Sequence, residues 1–253
     1  MVYSVCVSAL FGGKPLQEGI ALAGKAGYDT CEFWSWWDKD LDAVEKALND
    51  HQMHLSAMCT HFVPLNDPAK RQAYLEGLAE TLEAAQKLGC QTIISQVGQD
   101  QPHLSREEQT QSIVEGLKAC VPLLEKAGVT LVIEPLNTRY DHPGYFLARS
   151  DEAFAIVREV NSPQVKVLFD IYHQQITEGN LIPNIRENAA WIGHIHVAGH
   201  PGRHEPFGRN EIHYPSVLAA LKEAGYQGAV GLEYFPLMDA VESLQKLQKE
   251  MPL

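Results

Sequence analysis

The sequence predicts an α/β fold, a closed (β/α)8 barrel formed by a single domain of residues 1–253. Three observations predict it. Eight short apolar runs recur along the chain, segments with helical spacing lie between them, and 253 residues is the usual size for eight such units. Strict alternation of strand and helix, with right-handed crossovers, produces a parallel sheet that is buried on both faces.

The apolar runs are short, rich in β-branched residues and not alternating, as expected for strands buried on both faces. Four of them each follow a glycine that ends an amphipathic stretch, at Gly27, Gly89, Gly128 and Gly225. The predicted strands comprise residues 3–7, 30–33, 54–58, 92–95, 130–134, 165–169, 192–197 and 229–233.

Amphipathic segments between these runs predict the helices. Residues 69–88 place alanine and leucine at helical spacing, and residues 105–127 open with Ser105 and Glu108 in a capping-box pattern. Pro183 predicts that the sixth helix, in residues 180–190, is short or irregular.

An open, doubly wound sheet is the alternative to a closed barrel. The first predicted strand is followed only by Gly12 and Gly13, not by the Gly-x-Gly-x-x-Gly pattern of a dinucleotide-binding half. No low-complexity linker divides the chain, so we expect one domain.

Composition limits the classes of partner. The formal net charge of −12 argues against a surface for nucleic acid, so we expect a small-molecule substrate. Five scattered cysteines indicate free thiols in a reducing, cytoplasmic environment. The N-terminus lacks a basic region, and no unbroken apolar run approaches about 18 residues. We therefore expect neither export nor a membrane span.

Polar residues interrupt the ends of four consecutive predicted strands, five to eight: Glu134, Asp170, His196 and Glu233. A single carboxylate there could simply cap a helix or form an ion pair. Neighbouring strands lie about 4.8 Å apart, however, so all four side chains meet in one bowl, where three carboxylates repel unless a cation neutralises them. The pattern therefore predicts a divalent metal site at the carboxyl end of the barrel.

Three oxygen donors and one imidazole suit Mn2+, our first choice, or Mg2+ or Co2+ better than structural Zn2+. Glu134 and Glu233 could also serve as an acid/base pair, one taking a proton from carbon and the other returning it. The metal would stabilise the enediolate by binding its oxygens.

Further residues at this end are candidate substrate contacts. His173 follows Asp170 closely, and Arg203 lies in a long polar loop after the seventh strand, although each could be an ordinary loop or surface residue. Glu32, His61 and Gln96 end or follow strands two to four and could complete the pocket. Aromatic residues 33, 34, 36 and 37 could wall the pocket or form a subunit interface of a homo-oligomer.

At these residues the sequence resembles the xylose-isomerase-like TIM barrel superfamily, and most closely its hydroxypyruvate isomerase family, over nearly the whole chain. The motifs that carry the resemblance are Ile-Glu-Pro-Leu-Asn (133–137), Pro-Gly-Tyr-Phe-Leu (143–147), Phe-Asp-Ile-Tyr-His (169–173), His-Ile-His (194–196), Pro-Gly-Arg-His-Glu-Pro (201–206) and Leu-Glu-Tyr (232–234).

The resemblance implies a barrel with one divalent ion held by Glu134, Asp170, His196 and Glu233. It also implies a glutamate acid/base pair and substrate contacts from His173 and Arg203. The implied reaction is hydroxypyruvate to tartronate semialdehyde or, in relatives, epimerisation of a ketose at carbon three. The chain departs from the family at Phe235, where lysine is usual, and at His200 and Asn210. These departures concern the contacts to the substrate and leave the implied fold and metal site unchanged.

The residues leave several functions open. A ketose 3-epimerase could use the same two glutamates. An abasic-site endonuclease shares this type of barrel, but it needs a basic groove that the net charge of −12 disfavours. A noncatalytic barrel would tolerate replacement of both glutamates.

Overall fold

The computed structural model describes all residues, 1–253, and contains a closed barrel of eight parallel strands in chain order, with β8 paired to β1. The barrel prediction is therefore confirmed. The strands are β1 Val2–Cys6, β2 Thr30–Phe33, β3 His54–Cys59, β4 Thr92–Ser95, β5 Thr130–Ile133, β6 Val165–Asp170, β7 Ile192–Val197 and β8 Ala229–Leu232.

Ten helices surround or follow the strands. They are α1 Val7–Leu10, α2 Leu16–Lys25, α3 Leu41–Asp50, α4 Arg71–Leu88, α5 Arg106–Ala127, α6 Ser150–Val160, α7 Ile171–Thr177, α8 Leu181–Asn188, α9 Tyr214–Glu223 and α10 Ala240–Glu250. The predicted capping box at Ser105 and Glu108 is present at the start of α5. None of the helices has the length and apolar character needed to cross a membrane.

The irregular sixth helical region has a local cause. Gly179 and Asn180 both adopt positive φ, at 64° and 53°, and end the hydrogen-bonding pattern between α7 and α8. Pro183 lies in the first turn of α8, where its missing N–H costs nothing. The region is thus two short helices.

Predicted strands five and eight end one residue early in the structure, at Ile133 and Leu232. Glu134 and Glu233 therefore lie just beyond the sheet, at its carboxyl edge. Alternate residues of a strand share a face, so Val132 lies below Glu134 and Leu168 below Asp170. Both apolar side chains belong to a small buried cluster with Ala57, Cys59 and Ile94, which forms an apolar layer beneath the acidic residues.

Candidate metal centre and active site

The four predicted metal ligands form one cluster. A potential ligand atom from each of Glu134, Asp170, His196 and Glu233 lies within 4.8 Å of the others, and all four residues are buried. Nδ1 of His196 is at the centre, 3.4 Å from Glu233 Oε2, 3.5 Å from Glu134 Oε1 and 4.0 Å from Asp170 Oδ2. The geometry brings together what the strand-end pattern predicted.

The electrostatics of this cluster favour a bound cation. Burial raises the pKa of Asp170 to about 7, against the opposing charges of Arg203 and His196. Burial also acts against charge on Glu233, but Arg203 and His196 hold its pKa well below the usual 4.5. Similarly, the carboxylates overcome the effect of burial on His196 and hold its pKa well above 6.5.

His196 Nε2 lies 2.7 Å from Glu32 Oε1, but without the alignment of a hydrogen bond. On the side of the cluster, Glu134 Oε1 and His196 Nδ1 are buried without a hydrogen-bond partner. Such atoms cost about 1–3 kcal/mol each unless something satisfies them. A divalent cation would satisfy both, because carboxylate oxygens and an unprotonated imidazole nitrogen are metal donors. The residues present therefore fit a metal ion.

Glu32 occupies a different place from the one that the sequence suggested. It was expected to complete the substrate pocket, but its carboxylate is buried behind His196, with Oε1 only 2.7 Å from His196 Nε2. On its other oxygen, Oε2, it contacts His194 Nε2 at 3.0 Å and accepts a hydrogen bond from Ser56. Glu32 thus orients the imidazole from the side opposite the cluster. The reason for the difference is that Glu32 lies within β2, below the strand end.

Gly231 provides the space for this arrangement. A Cβ atom at that position would lie 2.5 Å from His196 Cδ2 and 2.6 Å from Glu32 Oε1, closer than any real side chain tolerates. Burial alone would raise the pKa of Glu32, but His194 and His196 lower it to about 2, so the carboxylate is ionised. Neither His194 nor Gly231 was predicted from the sequence to support the cluster. For His194 the available signal was the alternation in His-Ile-His, which places both imidazoles on one face of the strand.

His173 and Arg203 both lie beside the cluster. His173 is fully buried, with Nε2 3.7 Å from Asp170 Oδ2 and without a hydrogen-bond partner. Burial and the charge of Arg203 hold the pKa of His173 well below 6.5, so its ring is neutral near pH 7. The guanidinium of Arg203 pairs with Glu233 Oε2, and its Nη1 is 4.0 Å from Asp141 Oδ1.

The loop that carries Arg203 is anchored at both sides. Gly199 N–H donates to His204 O at 2.7 Å, and Phe235 N–H donates to Arg203 O at 2.8 Å. The loop therefore packs onto the segment after β8, and Arg203 adopts a positive φ of 59° as it reaches Glu233.

The aromatic residues after β2 have separate roles. Trp34 Nε1 donates a hydrogen bond to Glu233 Oε1 at 2.7 Å, so the indole ring lies against one side of the cluster. Phe33 and Trp36 are buried, and Trp34 and Trp37 are partly exposed. Phe33 and Trp36 belong to the main hydrophobic core, and Trp37 packs against it.

His61 and Gln96 do not join the four-residue cluster. The ring of His61 packs against Trp36 and Trp37, with centroids 5.0 and 4.7 Å away, and its Nε2 lies 3.2 Å from Glu80. Gln96 is half-buried just after β4. Both are at the carboxyl end of the barrel, so a role in contacting substrate stays a prediction.

Comparison with known proteins agrees with this architecture. The family described as xylose isomerase-like TIM barrel matches residues 20–250. Hydroxypyruvate isomerase of Escherichia coli K12 is 29% identical, with 92% of this chain and 93% of that protein covered. The 2-oxo-tetronate isomerase of Cupriavidus necator is 37% identical, with 67% of this chain and 64% of that protein covered.

A solved structure from Brucella melitensis, described as an AP endonuclease of family 2, superimposes with a TM-score of 0.93. It is 29% identical and covers 98% of this chain and 99% of that one. The closed barrel and these matches agree, and the chain belongs to the xylose isomerase-like TIM barrel family. A putative hydroxypyruvate isomerase of Mus musculus, 34% identical with 97% of this chain and 94% of that protein covered, places it in the hydroxypyruvate isomerase branch.

Proposed function

We propose that this chain is a divalent-metal-dependent isomerase that interconverts a small hydroxy-keto compound with its aldehyde isomer through an enediolate. The observation that carries the proposal is the buried convergence of Glu134 and Glu233 with Asp170 and His196. Two isomerases among the relatives support this reaction class. The enzyme would be an intramolecular oxidoreductase of the aldose-ketose type.

Glu134 and Glu233 are proposed as the acid/base pair. Glu134 lies in the same buried cluster and has two carboxylate oxygens, so one can bind the metal while the other takes part in proton transfer. Glu233 is held in place by Trp34 on one oxygen and Arg203 on the other, which fixes the direction of its carboxylate. One glutamate takes a proton from carbon and the other returns it to the neighbouring carbon.

The four-residue cluster is proposed to hold one divalent ion, with Mn2+ as first choice over Mg2+ or Co2+, because three carboxylates suit Mg2+ and Mn2+ and the imidazole disfavours the harder Mg2+. When bound, the ion supplies positive charge that stabilises the oxygens of the substrate. The carboxylate of Glu32 lies 2.7 Å from Nε2 of His196 and holds that side of the ring, so that Nδ1 points at the other three carboxylates.

We propose a small 2-oxo acid as substrate, in line with the hydroxypyruvate and 2-oxo-tetronate in the relatives' names. Arg203 is the cation nearest to the cluster and could contact the acid group, and His173 could contact a substrate oxygen. His61 and Gln96 remain candidate contacts at the rim. All five cysteines are free and buried, which supports the proposed reducing, cytoplasmic environment.

A ketose 3-epimerase is the second candidate, because the same two glutamates could return the proton to the opposite face of one carbon. The observation that favours it is Phe235, 42% exposed beside the site where the family resemblance leads one to expect lysine. A neutral sugar needs no second cation. The endonuclease description of the Brucella structure is the remote alternative, and the net charge of −12 argues against binding to DNA.

A homo-oligomer is also proposed. Five apolar side chains are exposed on loops at the carboxyl end of the barrel, where a second copy could cover them. They are Phe62, Tyr140, Phe235, Leu237 and Met238.

Isotope exchange distinguishes these functions. The protein is incubated with Mn2+ in D2O, separately with hydroxypyruvate and with candidate ketoses, and deuterium is located by NMR. We expect deuterium on the carbon next to the carbonyl of a 2-oxo acid, together with aldehyde product. Exchange at carbon three of a ketose would favour the epimerase. No exchange with any compound, together with cleavage of abasic-site duplex DNA, would overturn both.

Metal binding is expected to weaken as the pH falls through 7. The Asp170 carboxyl, whose pKa is raised to about 7, must lose a proton before it binds a cation, and His196, whose pKa is also raised, must do the same. Two protons therefore compete with the metal below pH 7 and about one above it. Calorimetric titration with Mn2+ across this range should show log Kd changing more steeply below pH 7; a pH-independent Kd would contradict this prediction.

A further inference from the structure

The loop between β5 and α6 contains a buried amide that contacts His173. Asn137 is fully buried, and its Nδ2 lies 2.6 Å from Nδ1 of His173. The same Nδ2 donates a hydrogen bond to Asp141 Oδ2 at 2.7 Å. These contacts join the loop to α7 beside the four-residue cluster.

The orientation of the Asn137 amide is fixed by neighbouring groups, each of which can act only as a hydrogen-bond donor or only as an acceptor. Its Oδ1 accepts from two backbone amides, those of Tyr140 at 3.0 Å and Asp141 at 3.4 Å. Backbone N–H groups can only donate, and a carboxylate can only accept. The oxygen must therefore face Tyr140, and the NH2 group must face Asp141 and His173.

This orientation decides the tautomer of His173. Two donors point at Nδ1, the Asn137 side chain at 2.6 Å and the Asn137 backbone N–H at 3.3 Å. Nδ1 cannot carry a hydrogen between two donors, so the ring hydrogen is on Nε2. Nε2 is buried without a partner, 3.7 Å from Asp170 Oδ2, and so lies at the edge of the metal cluster.

We propose that Asn137 is a positioning residue that holds His173 in the neutral tautomer with hydrogen on Nε2, so that Nε2 donates a hydrogen bond to the substrate oxygen at the reacting carbon. The inference rests on the proposed isomerase function for the identity of the acceptor. A donor fixed in advance costs no reorganisation when negative charge develops on that oxygen. Asp141 supports the amide from behind and is itself hydrogen-bonded by Tyr172 at 3.0 Å.

The first measurement needs no activity. In protein labelled with 15N histidine, two-bond proton–nitrogen correlations identify which nitrogen of each neutral ring carries hydrogen, and a His173→Asn spectrum assigns the signal. We expect His173 to be entirely in the Nε2–H form near pH 7. A Nδ1–H form, a mixture of tautomers, or a charged ring would overturn the proposal.

The second measurement uses Asn137→Asp, which keeps the shape of the side chain but replaces its donor by an acceptor. The pure neutral Nε2–H signal should be lost, because a carboxylate draws a hydrogen onto Nδ1. We expect kcat to fall by about 10²-fold or more, the usual cost of one such donor, with a smaller change in KM. An unchanged tautomer or an unchanged kcat would contradict the proposal.

Asn66→Asp is the matched control. Asn66 is equally buried in another strand-to-helix loop, where its Nδ2 donates to Gln99 O and Gln109 Oε1. It should lose thermal stability without a change in the His173 signal. If Asn137→Asp does not fold, Asn137→Ala is measured instead. Its backbone N–H still donates to Nδ1 at 3.3 Å, so we expect the Nε2–H form to dominate with a detectable share of Nδ1–H, and a pure Nε2–H form would contradict the role of the side chain. If the tautomer responds as described but no compound exchanges deuterium, the isomerase proposal fails and the positioning role stands.

Discussion

Glu134→Gln and Glu233→Gln are each expected to lower kcat by about 10²- to 10⁴-fold, the usual contribution of one general acid or base. Glutamine has nearly the shape of glutamate but neither accepts nor returns a proton at neutral pH. Both side chains are buried within the same cluster, so no exposed carboxylate can take their place. Turnover at saturating Mn2+ and deuterium exchange in D2O measure the effect.

The difficulty is that both glutamates are also proposed metal ligands, so a loss of activity could arise from a loss of metal. Asp170→Asn is the matched control, because it removes a carboxylate of the same cluster that has no proposed role in proton transfer. Asparagine can also replace Asp170 as the N-cap of α7. At saturating metal we expect Asp170→Asn to recover activity and the two glutamine variants not to.

A result in which either glutamine variant keeps more than about a tenth of the wild-type kcat, with metal bound, would remove that residue from the acid/base pair. The noncatalytic interpretation of the barrel predicts just this result for both. Elemental analysis of each purified variant accompanies the assay, so that metal content and turnover are compared on the same sample.

The barrel and the convergence of the four-residue cluster could be predicted from sequence for one physical reason. A carboxylate that directly follows an apolar run is costly to bury unless a partner or a cation compensates it, and consecutive strands are neighbours in a barrel. Glu134, Asp170 and Glu233 satisfy both conditions. Their positions in the sequence therefore predict that they lie close together in the structure.

The position of Glu32 could not be predicted in this way. Like the other carboxylates it follows an apolar residue of a predicted strand, but it lies one residue before the end of β2, whereas Glu134 and Glu233 lie just beyond β5 and β8. A difference of one residue at a strand end changes the face and level of a side chain, and strand ends are not marked this precisely in the sequence. The Glu32 side chain therefore lies behind His196 and outside the four-residue cluster.

The contact between Asn137 and His173 was unpredictable for a second reason. It joins a loop to a helix on a different strand unit, 36 residues apart, through the precise direction of an amide. Loop conformation is set by many weak backbone interactions, here including the two hydrogen bonds to Asn137 Oδ1. Strand-end position alone predicted that His173 lies at the site, not which of its nitrogens carries hydrogen.

His196→Ala is expected to abolish metal binding in the working range, with a loss of affinity greater than 10²-fold. His196 Nδ1 is the only nitrogen donor of the cluster and lies within 4.0 Å of all three carboxylates. Without it the carboxylates must hold the ion alone, and an orienting partner behind a ligand is itself worth about 10- to 100-fold. Calorimetric titration with Mn2+ and elemental analysis measure the effect.

Two further variants, for which we expect a smaller loss of metal affinity or none, provide a comparison. Glu32→Gln leaves the ligand in place but removes the charge 2.7 Å behind it, so we expect affinity to fall by about 10- to 100-fold, less than for His196→Ala. His61→Ala removes a histidine that packs among tryptophans outside the cluster and should leave metal affinity unchanged. Equal metal affinity in all three variants and the wild type would mean that the ion, if any, binds elsewhere.

Stability provides an independent check on the same arrangement. In His196→Ala the ionised Glu32 keeps His194 and Ser56 but loses its closest partner, and breaking a buried ion pair costs about 3–5 kcal/mol when nothing else compensates. Because His194 remains, we expect a destabilisation below that range. The double variant Glu32→Gln/His196→Ala should therefore be more stable than His196→Ala alone, while it still binds no metal. Recovery of stability without recovery of metal binding would separate the role of Glu32 in orienting the ligand from the role of His196 as the ligand.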